Sequence, residues 1–350
     1  MPKLSIIVPV YNVEPYIRPC LESIFKQGLD ENDSEVIIVN DGSTDKSMEM
    51  IADMICQHNN ITVINQENQG LSVARNNGIA ASRGEYILMP DSDDLLIENS
   101  LQSLLDIALK TKVDIVIANY LKMSNEEIAL YKPIQRTEIT IKEKTGEEVF
   151  LEDLNPYECY VWRSIFKKTF IVENDLKFYP GIRYQDIPFT HDCYLKAKKC
   201  IRTSQLLNIY RERPGSATFS FKLFKATDYS IAIAQTWKLT YLNNLSPQLL
   251  KKLKNDIFIS ISMLLYHISH DESSFSKKKK RIKFLKELIP SLTFQDGINQ
   301  RIFSLLYNYC PTALLFLRYT FGLIIDDRIR PIYRKYLKKR INIKDVKQQN

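Results

Sequence analysis

Between Leu4 and about Tyr131 the chain alternates between short runs rich in Ile and Val and stretches with helical patterning, and this rhythm limits the fold more than any other feature. The strand candidates are residues 4–10, 35–40, 61–65, 86–89 and 114–118, and the helix candidates are 16–27, 45–57, 71–82 and 101–111. The strand runs are almost continuously hydrophobic rather than alternating, as in a parallel sheet covered by helices on both faces. A doubly wound, mostly parallel α/β half is therefore expected. Sheets of that kind bind ligands at the carboxyl ends of their strands.

Three of those ends are polar. The first strand runs into Pro9-Val10-Tyr11-Asn12-Val13-Glu14, the second into Asn40-Asp41-Gly42-Ser43-Thr44-Asp45, and the fourth into Asp91-Ser92-Asp93-Asp94. Three carboxylates in four positions after an apolar strand suit a divalent cation better than a core. In the second loop Gly42 suits the turn, and Ser43, Thr44 and Asp45 suit helix capping. Asp41 precedes the turn, has no capping duty there, and is the residue to suspect of meeting a ligand. Arg75 and Asn76 come early on the helix after the third strand. A helical Arg is ordinarily solvated; its functional alternative is a cation beside an anionic ligand on the same rim.

After Tyr131 the rhythm loosens. Residues 145–200 read as mainly helical, with Tyr157, Tyr160, Trp162, Phe166 and Phe170 forming an aromatic cluster; the helical spacing makes Phe166 and Phe170 core residues. Asp186 follows the Pro180-Gly181 turn and opens a new helix, where a carboxylate either caps the helix or projects into a cleft. A strand candidate at 204–210 leads into Arg211-Glu212-Arg213-Pro214-Gly215-Ser216-Ala217-Thr218, which suits a flap over phosphates or an exposed linker. From residue 219 onward the chain reads as helical, at about 221–242, 247–270 and 276–288.

Charge narrows the function class. The 350 residues carry a net +7, but residues 301–350 hold 11 Lys/Arg against 3 Asp, so the first 300 residues sit at −1. A near-neutral body with a cationic tail is not a nucleic-acid binder. The apolar stretch 312–325 beside the basic segment ending at Arg340 predicts that residues 311–340 meet an anionic membrane surface; the plainer reading is a packed apolar helix with a solvated basic end. Six scattered cysteines without a CxxC pair predict neither a zinc site nor a disulfide framework. With no leader ahead of the first strand and no apolar run of roughly 18 residues, the expected location is the cytoplasm, peripheral to the inner face of the membrane. A GxGxxG, a P-loop and a Gly-rich phosphate loop are all absent, and the glycine nearest the first strand is Gly28, which argues against a dinucleotide oxidoreductase, an NTPase or a sugar-1-phosphate nucleotidyltransferase.

Four stretches carry a resemblance through their order and spacing: Ser5-Ile6-Ile7-Val8-Pro9-Val10-Tyr11-Asn12, Val39-Asn40-Asp41-Gly42-Ser43-Thr44-Asp45, Asn68-Gln69-Gly70-Leu71-Ser72-Val73-Ala74-Arg75-Asn76, and Gly84-Glu85-Tyr86 through Asp94. Together they resemble the family 2 glycosyltransferases, inverting enzymes of the GT-A fold. Residues 160–218 are similar to the later part of bacterial members that build surface polysaccharides, and nothing beyond about residue 220 carries the likeness.

The resemblance implies transfer of a sugar from a nucleotide-diphosphate donor, UDP-linked, to a hydroxyl of a saccharide or lipid-linked acceptor. Pro9, Tyr11, Asn12 and Glu14 would line the nucleotide pocket, Asp41 would accept from the base, and Arg75 would lie near the donor. Asp91-Ser92-Asp93-Asp94 takes the place of the DxD motif, with Asp91 and Asp93 facing ribose and a Mn2+ or Mg2+ ion and Asp94 sharing metal duty. Asp186 falls where the family has its general base, in a Gln185-Asp186 pair where the family usually has Glu-Asp. Trp162 and Gln185 would lie on the acceptor side, and Arg211 and Arg213 would close over the diphosphate. On this reading residues 1–218 are the catalytic domain (1–130 the nucleotide-sugar half, 131–218 the acceptor half), and 219–350 a helical domain with a basic tail. Chemistry asks for the same set: a hard cation offsets charge on a departing diphosphate, and a carboxylate takes the acceptor's proton. The alternative is a non-catalytic sugar-nucleotide-binding subunit of a polysaccharide assembly complex, favoured only by the altered Gln185-Asp186 pair. The oligomeric state stays open.

Overall fold

The structure, a computed structural model, describes residues 1–132, 139–156, 158–212, 223–294 and 296–315. The expectations for Tyr157, for Arg213 and the rest of its loop, and for all of the 311–340 segment past Leu315 lie outside the described residues.

Nine strands form one sheet among the described residues: β1 (Leu4–Val10), β2 (Ser34–Asn40), β3 (Ile61–Asn65), β4 (Tyr86–Leu88), β5 (Leu95–Leu96), β6 (Ile115–Ser124), β7 (Ile141–Lys144), β8 (Ser164–Lys167) and β9 (Cys200–Glu212). Their order is β3-β2-β1-β4-β8-β6-β9-β5, with β7 also on β9. The pairs β1–β2, β2–β3, β1–β4 and β6–β9 are parallel. Every residue of β1 is buried, as its unbroken apolar run requires, whereas β3, at the edge, is half-exposed.

Pro9 sits inside β1 without breaking it. The carbonyl of Val10 accepts from Asp41 on the β2 side, so Pro9, one residue earlier, faces β4. Pairing with β4 stops at Ile6, and the amide that proline lacks has no partner to lose there.

The segment 145–200 is not mainly helical. Ser164–Lys167 is a strand wedged antiparallel between β4 and β6, pairing Ile87 and Ile115 with Phe166. Phe166 is buried as expected, but as a sheet residue. A four-residue segment with only Ile165 and Phe166 apolar is too short for its period to separate strand from helix, and here two neighbouring strands decide. The predicted helix at 45–57 also shrinks, to a 3-10 turn at Glu49–Ile51 and a helix at Ala52–Gln57.

Contacts divide the chain into two compact units, residues 1–221 with 231–257, and 222–230 with 258–350. In the first unit, Lys252 donates to the carbonyl of Leu154 and pairs with buried Asp256, and Ser246 donates to Glu147. In the second, helices Phe275–Leu288 and Gly297–Tyr309 pack together, the Tyr307 hydroxyl donating to the carbonyls of Leu285 and Ile289. Among the described residues no helix is long and apolar enough to cross a membrane, and all six cysteines are unpaired.

Candidate active site

The acidic quartet follows β4, and its position is set by what comes next. Leu95 and Leu96 form β5 and pair with Ile209 and Asn208 of β9. That register brings Arg211 beside Asp94: the Arg211 amide donates to Asp94 Oδ1 at 2.8 Å and its Nε to the Asp93 carbonyl at 2.8 Å. The guanidinium also donates to Asn125 Oδ1 at 2.6 Å and lies 5.2 Å from the Tyr16 ring centroid. Strand β9 runs on to Glu212, two residues past the predicted end. Arg211 is thus a nearly buried strand residue that braces the quartet, not part of a flap.

One carboxylate oxygen from each of Asp91, Asp93 and Asp94 lies within 4.8 Å of the others. Asp94 Oδ2 is buried without a hydrogen-bond partner. An all-oxygen, anionic donor set with an orphaned buried oxygen fits a hard divalent cation such as Mn2+ or Mg2+. Burial pushes the carboxyls of Asp91 and Asp94 above the usual range, the Arg75 guanidinium opposing this at Asp91 and Arg211 opposing it at Asp94. Ser92 is buried between them.

Arg75, for which the helical pattern leaves a solvated position and a place beside the ligand rim both open, is completely buried. Its Nη2 donates to Asp91 Oδ1 and its Nη1 to Asp186 Oδ1, both at 2.6 Å. A planar guanidinium reaches two carboxylates at once in a way an ammonium does not. The helix carrying it, Leu71–Ala81, also presents Asn76 and Asn77: Asn76 bonds the backbone of Phe178, and Asn77 donates to Gln66, which donates to Asp41. Three consecutive residues thereby join the Asp41 loop, the quartet and the Asp186 segment. Replacing Arg75 by Met leaves two partly buried carboxylates without their shared cation. The expected cost is about 3 kcal/mol, the low end for breaking a buried pair because both acids keep some contact with water; a thermal unfolding curve with a lowered midpoint checks it.

Asp41 does have a structural duty, on a neighbouring helix. Buried, it accepts from Gln66 Nε2 and the Gln69 amide at Oδ1 and from the Gly70 amide at Oδ2, just ahead of Leu71. In its loop Gly42 takes φ +72°, and a Cβ there would sit 3.0 Å from the Asn68 nitrogen, so the turn admits only glycine without strain. Asn12, itself at φ 51°, accepts from the Thr44 amide, and Glu14 donates its amide to Asp45 and accepts from the Lys46 amide. The two loops are thus braced against each other, Pro9 buried below and Tyr11 half-exposed on the rim.

Asp186 begins the helix Asp186–Lys196 without capping it; its Oδ1 accepts from Arg75 and from Gln185 Nε2. Trp162 is 1% exposed and offers no face to a ligand. It stacks nearly parallel to Tyr160 and Tyr210, with Tyr120 edge-on. Sequence reasoning groups Asn76 and Tyr160 with Arg75 and Trp162 without giving them a role, and it misses Asn125 and Tyr210, whose partners Arg211 and Trp162 are remote along the chain.

Comparison with known proteins places this architecture. The family model described as glycosyl transferase family 2 matches residues 5–171. The chain is 31% identical to the uncharacterized glycosyltransferase EpsJ of Bacillus subtilis over 62% of its own length and 63% of that protein's, so it spans less than two thirds of this relative. It is 32% identical to the glycosyltransferase GlyG of Streptococcus pneumoniae over 61% of its length and 72% of that protein's. Among solved structures, S. aureus TarS superposes with a TM-score of 0.68 in complex with UDP, at 18% identity over 91% of this chain and 92% of that one, and with 0.63 in complex with UDP-GlcNAc, at 20% identity over 82% and 80%. At that identity the likeness concerns the fold, a mixed α/β sheet followed by a helical region. With the family model and GlyG agreeing, the chain belongs to the family 2 glycosyltransferases.

Proposed function

We propose that the chain is a metal-dependent, inverting glycosyltransferase that moves a sugar from a UDP-linked donor to a hydroxyl of a saccharide or lipid-linked acceptor in cell-surface polysaccharide synthesis. The observation that carries this reading is the junction of Asp91, Asp93 and Asp94 with Asp186 through Arg75. TarS bound to UDP and to UDP-GlcNAc supports the choice of donor.

In this reading Asp91, Asp93 and Asp94 would hold the cation, Arg211 keeps their turn in place, and Asp41 fixes the loops around the nucleotide. A cation held there would supply positive charge against the departing diphosphate. Asp186 accepts the proton of the acceptor hydroxyl as its oxygen bonds to the anomeric carbon, and the carbon–diphosphate bond breaks with its electron pair leaving on UDP. A single displacement from the opposite face inverts the centre, so one base suffices. Residues 1–218 carry all of these groups.

A thermal-shift screen of UDP-, GDP- and dTDP-sugars with and without Mn2+ tests the reading. The expected result is stabilisation by UDP and at least one UDP-sugar that depends on the metal. No stabilisation by any nucleotide sugar would remove both the donor and the reaction.

A further inference from the structure

Asp186 reaches the site on a segment remote in sequence from the helix Leu71–Ala81, yet fastened to it at two adjacent residues. Asn76 exchanges two hydrogen bonds with Phe178, its Nδ2 donating to the carbonyl at 2.9 Å and its Oδ1 accepting from the amide at 3.0 Å. One residue earlier, Arg75 donates to Asp186 Oδ1 at 2.6 Å, and its guanidinium lies 5.1 Å from the centroid of the Phe178 ring. That ring stacks at 3.9 Å on Phe189, in the first turn of the helix Asp186 opens. Both ends of the 178–186 stretch are therefore held by neighbouring side chains of one helix.

Gln185, 2% exposed, adds a second donor to the same carboxylate oxygen, Nε2 to Oδ1 at 3.2 Å. An ionised carboxylate only accepts, so the amide nitrogen must be the atom turned toward it. The two donors to Asp186 fall on Oδ1, which leaves Oδ2 to meet a proton.

We infer that Arg75 and Asn76 act as a positioning pair for Asp186, with Gln185 as its third support, so that one helix sets the distance between the proton acceptor and the quartet. The inference rests on the reading of Asp186 as base. It assigns Asn76 and Gln185 to the proton-transfer side of the reaction rather than to the donor. Arg75 serves both sides, since its second nitrogen holds Asp91.

The test uses Asn76→Ala and Gln185→Met in the full chain, the latter retaining the side-chain volume should the former fail to fold. UDP release from UDP-glucose and UDP-GlcNAc in the presence of Mn2+ is measured alongside UDP binding by calorimetry. Displacing a reacting group by about an ångström costs on the order of 100-fold, so kcat is expected to fall about 10- to 100-fold. Donor KM and UDP affinity should stay within about twofold. Asn76→Asp, which keeps the acceptor for the Phe178 amide, should recover part of the loss. Unchanged kcat in both variants, or a loss confined to donor KM, overturns the positioning role while wild-type turnover upholds the glycosyltransferase reading. A wild-type chain that releases no UDP with any donor overturns that reading and this one with it.

Discussion

Asp186→Asn is expected to lower kcat by about 10²- to 10⁴-fold, the range that a positioned proton acceptor contributes, while donor affinity stays unchanged. The substitution is nearly isosteric. An Asn oxygen can still accept from Arg75 Nη1 at the place where Asp186 Oδ1 now does, so the segment should remain docked and the quartet undisturbed. What disappears is the charge and the basicity of the second oxygen. Steady-state UDP release together with calorimetric UDP binding separates the two effects. Full activity in the variant would show that another group takes the proton.

Asp93→Ala is the second large effect, and it should appear in binding before chemistry. Asp91 and Asp94 each have one oxygen committed within the protein, to Arg75 and to the Arg211 amide. Without Asp93 the cluster is left with two half-committed carboxylates, too few hard ligands to compete with water for the cation. Metal-assisted binding worth several kcal/mol corresponds to about 100-fold or more in affinity. UDP titrated in Mn2+ should bind Asp93→Ala no better than in EDTA, whereas the wild type should bind far better with the metal. Equal metal dependence in both proteins would take Asp93 out of the cation site.

Much of this arrangement was legible along the chain because it is local. The unbroken apolar runs gave β1, β2 and β3 within a residue of their observed ends. The helix 71–82 was found to within one residue and 101–111 exactly as drawn by its pattern. The quartet was recognisable because three acids after a strand have few structural uses, and its carboxylates do converge.

What misled were residues judged by their sequence neighbours when their partners lie far away. Arg75 is placed near the donor only by resemblance, since its helical pattern alone suits a solvated cation and one of its carboxylates is 111 residues distant. Arg211 looked like a loop residue because its brace, Asp94, is 117 positions earlier. Asp41 lacked a duty only within its own turn; the amides it holds belong to the next loop. The resemblance puts Trp162 on the acceptor side, but three tyrosines from other parts of the chain and its own segment close around it.

The sequence by itself determined the strand and helix rhythm, the polar strand ends and the acidic quartet, since each depends on side chains a few residues apart and on the period of a single element. Only the tertiary structure decided that β8 enters between β4 and β6, that β5 seats Arg211 against Asp94, and that one guanidinium spans Asp91 and Asp186. These are pairings between distant segments. Their register follows from which apolar faces can be buried together and which buried charges can find a partner, and neither condition exists until the chain has closed on itself.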